Sequence, residues 1–423
     1  MRTRVFTILA LAAIASGAGA RAAEVLTLER AVAEGLMNHP LAAEARATAD
    51  AAQAHSGHAS AAYYPQISVA ADWTKSRAFY PILGTGMAKE SEVNTAAVYL
   101  RQTFYDFGRT SGEVDAARKN EAAAEQEYAA TRQDVSFRVK AAYYLVLAAE
   151  KQVVADSETV TARDEVFRQA REFFAQEVRP KIDVSRAEAN LYATKTALIR
   201  AENNRDLARD ELASAMGRPD AVQSPLSEPA APLPDIPDRA EARRRALSAS
   251  PELKRLQSLR DAAAANARSA RSDYLPVLSG TASAGRADGS FPPNGGVWSL
   301  GADLSIPLFS GFSTREKAKE ADAALRAAEA ARANLELVVG KEADAAWLAV
   351  REEIARTEST AKQELAAREN RMLAGERYRE GVGSIIEVTD AQSQDIDAET
   401  AQIQAAYDAR IALARLDRAM GKE

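Results

Sequence analysis

At two places in this chain a proline ends a helical pattern and a strand pattern begins. In "AAYYPQISVAADW", Ala61 to Trp73, an alanine-rich amphipathic helix reaches Tyr64. Pro65 stops it, because it lacks a backbone donor and forces the preceding residue out of helical geometry. Beyond it Ile67, Val69, Ala71 and Trp73 alternate with Ser68, Ala70, Asp72 and Thr74, the period of a strand with one less polar face. "SDYLPVLSGTASAG" makes the same switch at Pro276. Any fold for this chain must deliver a helix into a sheet twice.

The two switches belong to an internal repeat. Pro40 and Pro65 stand in step with Pro251 and Pro276 at an offset of 211. Further on, "TFYDFG" matches "PLFSGF", "KIDVSRAEA" matches "IIEVTDAQS" and "ASAMGRP" matches "DRAMGKE", all at an offset of 204. The difference falls where a loop insertion costs little. The expected layout is a signal peptide at 1–22, a first repeat over 23–216, a proline-rich linker over 217–239 and a second repeat over 240–423. The first repeat is expected to hold strands near 66–77 and 94–105, a long helix near 108–178 and a return helix near 184–216. The second is expected to hold strands near 277–286 and 296–309, a long helix near 313–380 and a return helix near 386–421.

A helix of roughly 70 residues is on the order of 100 Å long and cannot fold back into a compact core. Val139, Val146, Val153, Val160, Phe167 and Phe174 recur every seven residues along the first one, with Ala142, Ala149 and Ala170 three positions after members of that column. This is coiled-coil spacing, which ordinary helix-bundle packing also produces; the length is what argues for an extended tube. In the second long helix Leu335, Val338, Trp347, Ile354, Leu365 and Met372 keep no single column.

The amino terminus has Arg2 and Arg4, an apolar run from Val5 to Ile14, then small residues suited to cleavage after Ala20 or Ala22, the order of a secretory signal. Its removal takes the formal net charge from −6 to about −9, and nothing in the composition points to nucleic acid. No later segment has the apolar length of a membrane-spanning helix, so any membrane crossing must use strands. Cysteine is absent, which excludes disulfides, thiolate metal sites, a cysteine nucleophile and a lipid-modified amino-terminal cysteine.

Each of the four candidate strands has about the ten residues that a tilted membrane strand needs. The last is the clearest, with Trp298, Leu300, Ala302, Leu304, Ile306 and Leu308 on one face and Ser299, Gly301, Asp303 and Ser305 on the other. Four strands with open edges cannot sit in lipid, since unpaired backbone groups there are very costly. If three chains contribute four strands each, a closed barrel of twelve results, with a polar lumen. The competing reading is a small soluble sheet capping a helical rod.

The order of these features, twice over, with the "YYP" and "YLP" turns, "IPLFSGF" and "RYREGVGSIIEVTDAQ", resembles the TolC family of outer-membrane efflux proteins over about Leu26 to Gly421. The resemblance implies a mostly α protein with a membrane β-barrel portion. It implies a duplicated helix-strand-strand-helix repeat and a homotrimer whose twelve-stranded barrel, set in outer-membrane lipid, continues into a long periplasmic α-helical barrel. Docking to a periplasmic adaptor protein and an inner-membrane transporter follows, with no cofactor and no metal. Glu387 and Asp390 match the acidic positions that the family places in a ring at the periplasmic entrance. Six carboxylates would then favour cations. Asp183 and Tyr378 match positions that help to hold the entrance closed. Glu177, Val178, Arg179 and Pro180 in one tip, and Gly381, Val382, Gly383 and Ser384 in the other, fall where adaptor contacts are expected. Gly383 stands where a basic partner is expected, and Glu177 where a glycine is common.

An enzyme has little support. His55 and His58 in "HSGH" lack a nearby acidic ligand, His39 punctuates a helix end, and "GTG" at Gly84 to Gly86 lacks the lysine of a phosphate loop and falls in an expected external loop. The more serious rival is a soluble periplasmic coiled-coil scaffold or adaptor, which would lack paired strands with apolar outer faces.

Overall fold

The computed structural model describes residues 25–82, 85–220, 222–228 and 234–422. The expected signal peptide, Gly84 and positions 229–233 of the proline-rich stretch lie outside the described residues. In chain order the elements are α1 (Leu28–Asn38), α2 (Pro40–Ser60), β1 (Gln66–Ile82), β2 (Thr85–Tyr105), α3 (Arg109–Ala175) and α4 (Lys181–Ala215), then α5 (Arg239–Ala249), α6 (Pro251–Ser272), β3 (Val277–Asp288), β4 (Gly295–Ser305), α7 (Ser313–Arg379) and α8 (Ile385–Ala419). No described helix is long and apolar enough to cross a membrane.

The strands form one antiparallel sheet in the order β1-β2-β3-β4. Register sets residues of like kind side by side in the rows nearest the helices. Ile67, Leu100, Ala282 and Leu300 lie side by side, and Val69, Val98, Ala284 and Trp298 form the next row on the same face. On the other face Ser68, Tyr99, Ser283 and Ser299 align, and the hydroxyls of Ser283 and Ser299 hydrogen-bond at 2.8 Å. The apolar face is bare: Val69 is 77% exposed, Leu300 79% and Trp298 80%.

The first two strands run beyond the spans that alternation suggested, and the expected external loop between them is mostly ladder. Their register sets Lys75 opposite Glu92 and Arg77 opposite Glu90, so opposite charges stabilise a pairing that carries no apolar alternation to announce it. Gly86 of the "GTG" stretch pairs with Pro81. At the other end of the sheet the fourth strand stops at Ser305, short of the expected Phe309, because Pro307 has no donor to give the ladder. The β1–β2 ribbon therefore overhangs: β3 and β2 are paired only as far as Asn94.

The two long helices run the length of the helical part. Towards the sheet α3 packs against α2 and α6, and α6 against α7; towards the far end α3 packs against α4 and α8, and α8 against α7. This leaves α2, α4 and β1 along one flank, and α7 and β4 along the other. The Val139 and Val146 positions of the seven-residue column are fully buried, but Phe174 is 44% exposed. The buried residues of α7 include Val339, Gly340, Ala343, Ala346 and Val350, a seam of mostly small side chains, with Tyr378 buried at its far end, while Leu365 and Met372 face outward. The large apolar residues keep no column because Leu335 and Trp347 pack inward, against α5 and α6 and against the linker, whereas Leu365 and Met372 mark the open flank.

At mid-height the largest core cluster joins α1, α3, α4 and the proline-rich stretch through Leu26, Tyr143, Leu212, Met216 and Val222. Leu26 pairs in parallel with Leu226. The Tyr143 hydroxyl lies 2.8 Å from the Leu26 carbonyl oxygen and 2.7 Å from that of Ser227. Trp347 Nε1 donates to the Pro237 carbonyl at 2.9 Å, so the described parts of the linker are anchored to α3 at Ser227 and to α7 at Pro237.

Candidate functional site at the paired helix tips

The α3–α4 and α7–α8 turns are built on one hydrogen-bond frame. In the first, Glu177 N donates to Phe174 O at 3.0 Å, and Val178 N and Arg179 N donate to Phe173 O at 2.9 and 3.3 Å. In the second, Gly381 N donates to Tyr378 O at 3.1 Å, and Val382 N and Gly383 N donate to Arg377 O at 3.0 and 2.8 Å. Both are helix ends closed by a left-handed residue. That residue is Gly381 at φ 82° in one turn and Glu177 at φ 56° in the other. Glu177 thus holds a conformation that glycine adopts without a Cβ penalty. Pro180 caps α4 with extended backbone, and Ser384 caps α8, its Oγ accepting from Glu387 N at 3.2 Å.

The two turns touch through Arg179. Its Nη2 donates to Gly381 O at 2.9 Å and Gly383 O at 2.7 Å, and its guanidinium carbon stands 5.5 Å from the centre of the Tyr378 ring. Beneath it Tyr378, Ile385 and Val388 are buried against Val166 and Phe173, with the Phe173 and Tyr378 rings edge-on at 5.7 Å. A side chain at Gly383 has no easy room, since its Cβ would lie 3.0 Å from three atoms of Arg377 and Tyr378.

Asp183 and Tyr378 are both buried, at 8% and 1% exposure, but the Tyr378 hydroxyl makes no hydrogen bond. Burial pushes its pKa up, the Asp183 charge pushes it further, and Arg179 opposes them. Glu387 and Asp390 are exposed in the first turns of α8. Glu387 Oε2 lies 3.4 Å from Arg377 Nε, a loose pair between half-exposed groups that holds little energy. Around the two turns Val178, Ile182, Val382 and Ile386 are all at least half exposed, between 50% and 68%, and together form an exposed apolar rim. The rest of the tip set, Glu177, Arg179, Pro180, Gly381, Gly383 and Ser384, lies in the same two turns.

Above the tips two polar residues stand in the small-residue column of α3. Continuing from Ala142 and Ala149 in steps of seven lands on Asp156 and Arg163 before Ala170, and both polar residues are buried, at 8% and 5% exposure. Arg163 Nη2 donates to Ser393 Oγ at 3.2 Å, while its Nε and Nη1 and the Gln392 Oε1 have no hydrogen-bond partner. They border a cavity of about 310 Å³ between α3, α7 and α8, beside an Arg371–Asp395 ion pair of 2.6 Å. His55 and His58 stack at 6.4 Å on exposed α2 positions. Among the described residues no group of three or more His, Asp or Glu is placed to hold a metal ion.

Comparison with known proteins gives one family. The sequence profile described as outer membrane efflux protein matches residues 31–218 and 242–422. The chain is 28% identical over 388 residues to protein CyaE of Bordetella pertussis, covering 88% of this chain and 79% of that protein. It is 25% identical over 372 residues to outer membrane efflux protein BepC of Brucella suis biovar 1, covering 86% and 78%. Its fold superposes on the outer-membrane channel OprN with a TM-score of 0.83 at 22% identity, over 94% of this chain and 90% of OprN.

Proposed function

Because the chain belongs to the outer membrane efflux protein family, its work is that of an outer-membrane channel, and we propose that three copies of it close around an axis to make that channel. The observation that carries this is the pair of unsatisfied flanks. One flank offers β1, α2 and α4 with exposed Tyr192, Ile199 and Leu207; the other offers β4 and α7 with exposed Leu337, Leu348, Leu365 and Met372. A flank of one kind meets the other kind on the next copy, a head-to-tail contact that gives a ring when the rotation closes. Four strands from each of three copies give a twelve-stranded barrel, with the Trp298 and Leu300 rows towards lipid and the serine rows lining a polar lumen. The helices continue the tube into the periplasm.

The helix tips are then the periplasmic entrance. Glu387 and Asp390 from three copies supply six carboxylates, a negative constriction that favours cations. Asp183 and Tyr378 support the closed arrangement from behind, and the apolar rim with the rest of the tip set receives a periplasmic adaptor protein. Family members work beside adaptors and inner-membrane transporters; here such partners supply the energy and choose the cargo, and the duct is passive.

The test is single-channel recording of purified protein in a planar bilayer under a salt gradient. Discrete cation-preferring steps are expected, and Glu387→Ala with Asp390→Ala should move the reversal potential towards that of an unselective pore. An unchanged reversal potential removes the ring assignment. Loss of the protein from outer membranes in alkaline carbonate returns the soluble scaffold.

A further inference from the structure

We propose that the cavity between α3, α7 and α8 binds a small zwitterion, in its simplest form an amino acid, whose carboxylate pairs with Arg163 and whose ammonium group lies against the acceptors of α8. The site is built within one protomer and does not depend on a ring of copies.

Arg163, Arg368 and Arg371 all line this cavity of about 310 Å³. Two of them are paired within the chain, Arg371 with Asp395 at 2.6 Å and Arg368 with Glu364 at 2.8 Å. Arg163 is different. It is 5% exposed, and burial alone lowers its pKa, with no carboxylate near enough to oppose the change. Its Nη2 donates to Ser393 Oγ at 3.2 Å, which leaves Nε and Nη1 without acceptors. Asp156 stands in the same column of α3, but seven residues earlier and so about 10 Å along the helix, where its Oδ1 accepts from Gln152 Nε2 at 2.9 Å. A guanidinium buried without a counter-charge is costly, and its planar fork matches a carboxylate. The counter-charge must therefore come from outside the chain.

Across the cavity the deficit is of the opposite kind. Gln392 Oε1 and Asp395 Oδ1, three residues apart on one face of α8, are buried acceptors that receive no hydrogen bond. Glu158 and Glu399 line the same space. Burial raises the Glu399 pKa and the Asp395 charge raises it further, as happens where carboxylates crowd together. Such a wall repels a dianion like phosphate and favours N–H donors. A ligand that answers both sides carries one carboxylate and one ammonium group. The volume is that of about ten waters, which admits an amino acid with a short side chain. Neighbouring atoms cover Nε and Nη1 of Arg163, so binding draws the guanidinium a short way into the cavity. The bound molecule then ties α3 to α8 where the chain itself makes no ion pair for Arg163.

The test is equilibrium dialysis of radiolabelled glycine and L-serine against the full-length protein, purified in non-ionic detergent and freed of small solutes. Saturable binding at one molecule per protomer is expected. Arg163→Leu should weaken it about tenfold or more, the scale of a lost hydrogen-bonded charge. Glu158→Gln with Glu399→Gln should weaken binding of serine but not of acetate, because only serine brings an ammonium group. Serine should also raise the thermal midpoint of the parent and leave that of Arg163→Leu unmoved.

Absence of saturable binding of either amino acid to the parent overturns the proposal, and that measurement needs no variant to fold. Acetate, chloride or inorganic phosphate competing as well as serine would mean a site for any small anion, and methylammonium competing as well would mean a cation site; either result overturns the zwitterion. Serine binding unchanged in Arg163→Leu, with helix content equal to the parent by circular dichroism, would place the ligand away from this cavity and overturn the assignment.

Discussion

At the scale of single residues, the acidic pair was legible in the sequence because it sits in one short segment, "IIEVTD". Arg179 was not, because its partners are more than 200 residues away along the chain and no local pattern joins them. Glu177 shows a cost that sequence does indicate: a residue with a Cβ at φ 56° where its counterpart is glycine. Glu177→Gly should therefore stabilise the tip by about 1 kcal/mol, seen as slower amide exchange in 173–183 than in the parent; faster exchange would mean that the glutamate side chain makes a needed contact. The buried tyrosines set an alkaline limit. Burial pushes Tyr143 up to about 12, and Tyr407 and Tyr378 also lie above the ordinary tyrosine value. Unfolded tyrosines ionise first, near a pH of about 10, so the folded state binds more protons and stability falls as pH rises above that point. Chemical denaturation followed by circular dichroism should show the midpoint steady up to that pH and dropping beyond it.

At the scale of elements, alternation gave the clearest strand, β4, because its lipid-type and polar faces differ sharply, whereas the outer half of the β1–β2 hairpin was missed because charged pairs replace that contrast. Leu300→Arg puts a cation in the middle of the apolar row and should cost about 2–4 kcal/mol if that face meets lipid. Vesicle insertion would fall in proportion, while Ser299→Arg on the other face should insert normally. In the α3–α8 seam the seven-residue step was legible through its alanines but not through Asp156 and Arg163, since polar residues at such positions do not register as core. A buried guanidinium with unpaired donors is a net burden. Arg163→Leu is expected to raise thermal stability of the helical part by about 1 kcal/mol or more, and a lower melting temperature would show that the cation has a bound counterpart.

At the scale of the whole molecule, the duplicated order of helix and strand made the architecture readable, but the sequence could not say which apolar side chains face a seam within the chain and which face another copy. Leu365 and Met372 answer that by their exposure on α7. Leu365→Glu together with Ile199→Glu places charges on both flanks and should shift the assembly from trimer to monomer in detergent, measured by light-scattering mass; a retained trimer would locate the contact elsewhere. The overhanging ribbon has a different consequence. From Thr74 and Val93 outward it has about nine residues per strand, so it extends on the order of 30 Å past β3. In the proposed channel this ribbon stands clear of the barrel, on the side away from the helices. Its charged rungs are under no demand from a core, which makes its far end a natural position to carry a peptide epitope for detecting the protein on intact cells.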